Sequence, residues 1–134
     1  MSLLVDSSVW IDYFNGTITP QTDFLDAALG EQEIIVGDLI LAEVLQGFRQ
    51  QHEFEQAQTA LLSFTIVPIV GQKVAIQSAK NYRFLRQNGV TIRKTIDCLI
   101  ATFCIENRIQ LLQADRDFNG FVQHFDLQVV GTTS

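Results

Sequence analysis

Five short apolar runs, separated by helix-length segments, constrain this chain more than any other feature. They fall at residues 3–6, 33–36, 65–69, 110–113 and 128–130. Most are uninterrupted rather than alternating, as strands covered on both faces are. Helical patterns fill the gaps. Leu41, Val44, Leu45 and Phe48 repeat at i, i+3, i+4 and i+7, and so do Ile96, Leu99, Ile100 and Phe103. Residues 8–14, 20–29, 53–63, 72–88 and 118–124 also read as helices, with Pro20 suited to a first turn. Strands alternating with helices imply right-handed crossovers, hence an α/β fold: a three-layer α/β/α sandwich around a five-stranded parallel sheet. Ligands bind such sheets beyond the carboxyl ends of the strands, near the switch in strand order.

The 134 residues fit a single domain, 1–134, with no repeat, low-complexity tract or linker. Charged residues make up only 18%, against roughly 25% in an average globular protein, which favours a filled core over disorder. No run approaches a membrane span and no basic leader precedes the first strand, so a cytoplasmic location is expected. Cys98 and Cys104 lie six apart on one helix, facing different ways, and read as small core residues of a reducing compartment. His52 and His124 read as surface residues.

Against this background four carboxylates stand in apolar company. Asp6 ends the first strand, and Glu43 lies inside Leu39-Ile40-Leu41-Ala42-Glu43-Val44-Leu45. Asp97 opens Asp97-Cys98-Leu99-Ile100-Ala101, and Asp115 follows Leu111-Leu112-Gln113-Ala114. A buried ionised carboxylate must be paired, hydrogen-bonded or bound to a metal, or else take up a proton. Each has a plainer explanation. Asp6 suits a helix cap, Thr95 suits the cap of a helix in which Asp97 is a first-turn acid, and Asp115 and Asp117 suit a turn. Glu43 fits the plain reading least, because it borders the core stripe of its helix. Four coincidences together, two at strand ends by topology, point to a shared site.

Oxygen donors without histidine or cysteine suit Mg²⁺ or Mn²⁺ and disfavour Zn²⁺. Such an ion polarises a phosphodiester and stabilises the leaving oxygen. The net charge is −6, yet residues 56–96 hold no acid and six of the nine basic residues: Lys73, Lys80, Arg83, Arg86, Arg93 and Lys94. A positive lobe of this kind can hold phosphates; the competing reading is a solvated helix face.

These segments, in this order, resemble the PIN-domain family, and within it the VapC-type toxin ribonucleases of toxin–antitoxin pairs. Leu3-Leu4-Val5-Asp6-Ser7-Ser8-Val9-Trp10 resembles the first motif and Ala42-Glu43-Val44-Leu45-Gln46-Gly47 the second. Asp97-Cys98-Leu99-Ile100-Ala101-Thr102 resembles the third, and Leu111-Leu112-Gln113-Ala114-Asp115-Arg116-Asp117-Phe118 the fourth. The resemblance implies an endoribonuclease dependent on Mg²⁺ or Mn²⁺, cutting structured RNA such as tRNA or rRNA and leaving 5′-phosphate and 3′-hydroxyl ends. It implies Asp6, Glu43, Asp97 and Asp115 as catalytic acids, with Asp6, Asp97 and Asp115 on the metal. It further implies that Ser7 orients a carboxylate or metal-bound water and that Asp117 is a further ligand or a supporting acid; Asp115 and Asp117 compete for the fourth place. It also implies a homodimer and a small VapB-like antitoxin whose tail covers the acidic groove.

Two other classes meet the same residues. A phosphoacceptor receiver domain needs a paired acid after the first strand, an aspartate ending the third and a lysine after a late strand. Here Ser7 follows Asp6, residues 65–69 hold no acid, and Asp115 stands where the lysine belongs. A non-catalytic metal-binding domain that engages RNA or a protein keeps the same acids, and sequence alone does not separate it from the enzyme.

Overall fold

A computed structural model describes residues 2–131. The strands are β1 (Leu3–Val5), β2 (Ile34–Gly37), β3 (Thr65–Val67) and β4 (Gln110–Leu112). The helices are α1 (Ser7–Phe14), α2 (Pro20–Ala28), α3 (Asp38–Gln46), α4 (Gln51–Leu62), α5 (Gln72–Gln87), α6 (Thr95–Asn107) and α7 (Asn119–Phe125). A single 3₁₀ turn, Arg116–Phe118, precedes α7. All pairings are parallel, in the order β3-β2-β1-β4, with Leu4 opposite both Ile35 and Leu111.

Among the described residues the sheet has four strands, not five. Residues 128–130 make only one bridge, Leu111 to Val129, through Leu111 N–H to Gln128 O (2.9 Å) and Val130 N–H to Leu111 O (3.1 Å). Left-handed backbone at Asp126 (φ 57°) and Gly131 (φ 71°) brackets the segment, leaving too little extended chain between them for a ladder.

The order of the strands decides where the helices go. From β1 the chain steps outward to β2 and β3, then crosses back to place β4 on the other side of β1. Right-handed crossovers put α1–α4 on one face and α5–α6 on the other. The observed packing follows that division: α1 lies against α2 and α3, and α5 against α6. Leu3, Leu4, Val5, Val36, Leu111 and Leu112 are buried between the layers, each contributing about 1.5–3 kcal/mol for a fully buried large side chain. An aromatic cluster on α1 closes one side, with Trp10 stacked on Phe14 (5.8 Å between ring centres) and tilted on Phe64 (5.7 Å). Cys98 and Cys104 are buried free thiols, as expected of core residues. His52 is exposed, whereas His124 is half-buried with its ring edge-on to Phe84.

Helix starts depart from simple capping rules. Asp38 is the first residue of α3, after Gly37, instead of its cap. Its Oδ1 accepts from its neighbour's N–H (Leu39, 2.8 Å) and from Ile69 N–H (3.0 Å), which ties the exit of β3 to the start of α3. Lys94, not Thr95, occupies the cap position of α6.

Gly37 is held to glycine by the same junction. A β-carbon there would stand 2.5 Å from Ile69 Cδ1 and 2.6 Å from its Cγ1, and Ile69 is fully buried. Gly37→Ala is expected to cost about 1–3 kcal/mol through overpacking. Urea denaturation measures this, and an unchanged midpoint would show that Ile69 repacks freely.

Candidate active site

Because every strand runs the same way, β1 and β4 deliver their carboxyl ends side by side, at the point where strand order reverses. Asp6 N–H donates to Leu112 O (2.9 Å), so the chain leaving β1 is tied to β4. Asp6 is then the N-cap of α1. Its Oδ2 accepts from Ser8 N–H (3.1 Å) and from Ser8 Oγ (2.7 Å), while Ser8 Oγ accepts from Ala114 N–H (3.2 Å). Ser8 was not among the expected site residues; the Asp-x-Ser spacing at a helix start was the signal available for it.

The capping explanation accounts for only one of Asp6's oxygens. Oδ1 is buried with no hydrogen-bond partner, and so is Oδ2 of Asp97. Asp97 sits in the first turn of α6, where the N-terminal dipole favours negative charge. Burial nonetheless raises its pKa from 3.8 to about 7, and the charges of Asp6, Asp115 and Glu43 push the same way while Lys94 opposes them. Burial likewise raises Asp6, partly offset by its bonds to Ser8.

Glu43 arrives from α3, where it is half-buried and Oε1 accepts from Ser7 Oγ (2.9 Å). Its pKa is raised by desolvation and by Asp6, against the lowering pull of Ser7 and Lys94. Asp115 caps the 3₁₀ turn, its Oδ1 accepting from Asp117 N–H (2.9 Å). Carboxylate oxygens of Asp97, Asp115 and Asp117 lie within 4.8 Å of one another, so this triad is the tightest acidic group among the described residues. The fold thus gathers Asp6, Glu43, Asp97, Asp115 and Asp117 into one field.

The basic residues divide. Lys94 Nζ stands 3.8 Å from Asp115 Oδ2, and Arg93 pairs with Asp117 at 3.0 Å. Lys73, Lys80, Arg83 and Arg86 are exposed along α5 and form none of these pairs with the described acids. An acid set with two orphaned, buried carboxylate oxygens and no nitrogen or sulfur donor fits a hard divalent cation.

The PIN domain model matches residues 3–121. Ribonuclease VapC11 of Mycobacterium tuberculosis is 28% identical over 131 residues, covering 94% of this chain and 96% of its own. Solved structures share the fold. VapBC2 from Rickettsia felis, bound to a DNA fragment from its promoter, aligns with a TM-score of 0.77 at 18% identity, over 96% of this chain and 97% of that one. FitAcB from Neisseria gonorrhoeae gives 0.74 at 19%, over 95% of each. With the parallel sheet, the switch point and the ordered acids already in place, the chain belongs to the PIN domain family.

Proposed function

We propose that this protein is a Mg²⁺- or Mn²⁺-dependent endoribonuclease that cleaves structured RNA such as tRNA or rRNA, acting as the toxin of a toxin–antitoxin pair. One observation carries the reading: two buried carboxylate oxygens, Asp6 Oδ1 and Asp97 Oδ2, are unpartnered within one acidic cluster. Left ionised and empty-handed, they would destabilise the fold; bound to a cation, they complete it. Likeness to a ribonuclease along almost the full length supports the reaction class. Structural likeness to VapBC and FitAB assemblies supports an antitoxin partner. A homodimer and a cytoplasmic location belong to the same proposal; no described helix is long and apolar enough to cross a membrane.

Asp6, Asp97 and Asp115 would hold the ion, which when bound supplies Lewis-acid polarisation of the phosphodiester. Glu43 is suited to take the proton of the attacking water. Ser7 fixes Oε1, which leaves Oε2 as the accepting atom, and a raised pKa brings this carboxylate closer to neutral pH. Ser7 is therefore a positioning residue for Glu43.

Cleavage of cellular RNA by the purified protein should require Mg²⁺ or Mn²⁺ and stop with chelator. Glu43→Gln is expected to slow it by about 10²–10⁴-fold, and Asp6→Asn with Asp97→Asn to abolish it. Cleavage that survives the double substitution would end the proposal.

Asp97 also predicts a pH dependence. Between 3.8 and about 7 the native chain holds a proton here that the unfolded chain has released. Stability gained from this group is therefore lost as pH rises through that window. Asp97→Asn should raise the melting temperature of chelator-treated protein more at pH 7 than at acidic pH, and Mn²⁺ should narrow the gap by stabilising only the aspartate. Equal melting temperatures across the range would show that Asp97 is not desolvated.

A further inference from the structure

The three acids of the tight triad are not equally free to take a cation. Asp97 has an unpartnered buried oxygen. Asp115 gives Oδ1 to the Asp117 N–H and keeps Oδ2, which Lys94 approaches only to 3.8 Å. Asp117 is different. Arg93 Nε reaches both of its oxygens, Oδ1 at 3.2 Å and Oδ2 at 3.3 Å, and Nη2 adds a second bond to Oδ1 at 3.0 Å. The Asp117 side chain is only 9% exposed, whereas Arg93 is 65% exposed. The carboxylate is thus a fixed anchor and the guanidinium a fork held at the rim of the site.

A guanidinium has five donors. The pairing with Asp117 uses Nε and one hydrogen on Nη2, which leaves Nη1 and the remaining Nη2 hydrogen to face solvent. Asp117 shares its triad with Asp97 and Asp115, and both of these also act on the Arg93 charge, so the guanidinium lies beside the cluster and not on a remote face. Planar, bidentate presentation of this kind matches a phosphate better than the point charge of a lysine.

We infer that Arg93 grips an RNA phosphate next to the metal-binding carboxylates, and that Asp117 serves as the positioning residue that aims Arg93, not as a metal ligand. The inference rests on the nuclease reading and divides the labour within its site.

The test uses the full chain in a Glu43→Gln background, which leaves the triad and Arg93 in place and suppresses cleavage. Mn²⁺ binding is followed by calorimetry, and binding of a fluorescein-labelled mixed-sequence RNA oligonucleotide by polarisation over a range of salt. Arg93→Gln should weaken RNA binding and lower the slope of log affinity against log salt by about 0.7, the loss of one phosphate contact to a single strand. Arg93→Lys should keep the slope yet bind more weakly. Asp117→Asn should mimic Arg93→Gln in RNA affinity, add little to it in the double variant, and reduce Mn²⁺ affinity far less than Asp97→Asn does.

An Asp117→Asn loss of Mn²⁺ affinity equal to that of Asp97→Asn would overturn the assignment. So would RNA affinity and salt slope unchanged by Arg93→Gln. Thermal melts confirm that each variant is folded, and Arg93→Lys carries the argument should the neutral variant fail to fold. Absence of cleavage by the unsubstituted protein sinks the nuclease reading alone, because the binding measurements do not depend on turnover.

Discussion

Desolvation of carboxylates at the mouth of the sheet is the constraint on which the rest depends. Asp6 and Asp97 each keep one oxygen away from water and from any donor. The surroundings do not simply tolerate this. The helix starts at Ser7 and Thr95 bring N-terminal dipoles toward the acids, Ser7 and Ser8 donate hydroxyls, and Lys94 approaches from the side. These groups offset part of the repulsion and none completes the pairing. On the proposed function a divalent cation would complete that pairing, and binding it would tie folding to chemistry.

Geometry then follows from topology. Parallel strands place all carboxyl ends on one edge, and the reversal of direction after β3 puts the switch in strand order between β1 and β4. Asp6 and Asp115 are delivered by β1 and β4, Asp97 by the first turn of α6, and Glu43 by α3 from the opposite layer. The junction of Gly37, Asp38 and Ile69 sits at the base of α3, the helix that carries Glu43, so it ties the β3 exit to that helix.

Much of this was legible in the residues. Uninterrupted apolar runs identify buried parallel strands, because a covered strand has no polar face to alternate with. Acids inside such runs identify the edge where the chain leaves the sheet. What was not legible were features decided by contacts between distant segments. Whether residues 128–130 form a ladder depends on backbone turns at Asp126 and Gly131, and Asp at a positive φ leaves no mark in a hydrophobic pattern. The role of Asp38 depends on Ile69, 31 residues away. The different pairings of Asp115 and Asp117 depend on Lys94 and Arg93, which sequence reading joins to a general basic stretch without dividing it. His124 looked like surface because its partner, Phe84, lies on another helix.

The seam between β1 and β4 has one more consequence. Ser8 and Ala114, whose hydrogen bond helps close the acidic cluster, are 106 residues apart in the chain. While translation is under way, Asp6 and Ser8 must wait, already made but unaccompanied, until Ala114 and everything between them has emerged. If the protein cuts RNA as proposed, a ribosome synthesising it is exposed to no competent catalyst from that unfinished polypeptide.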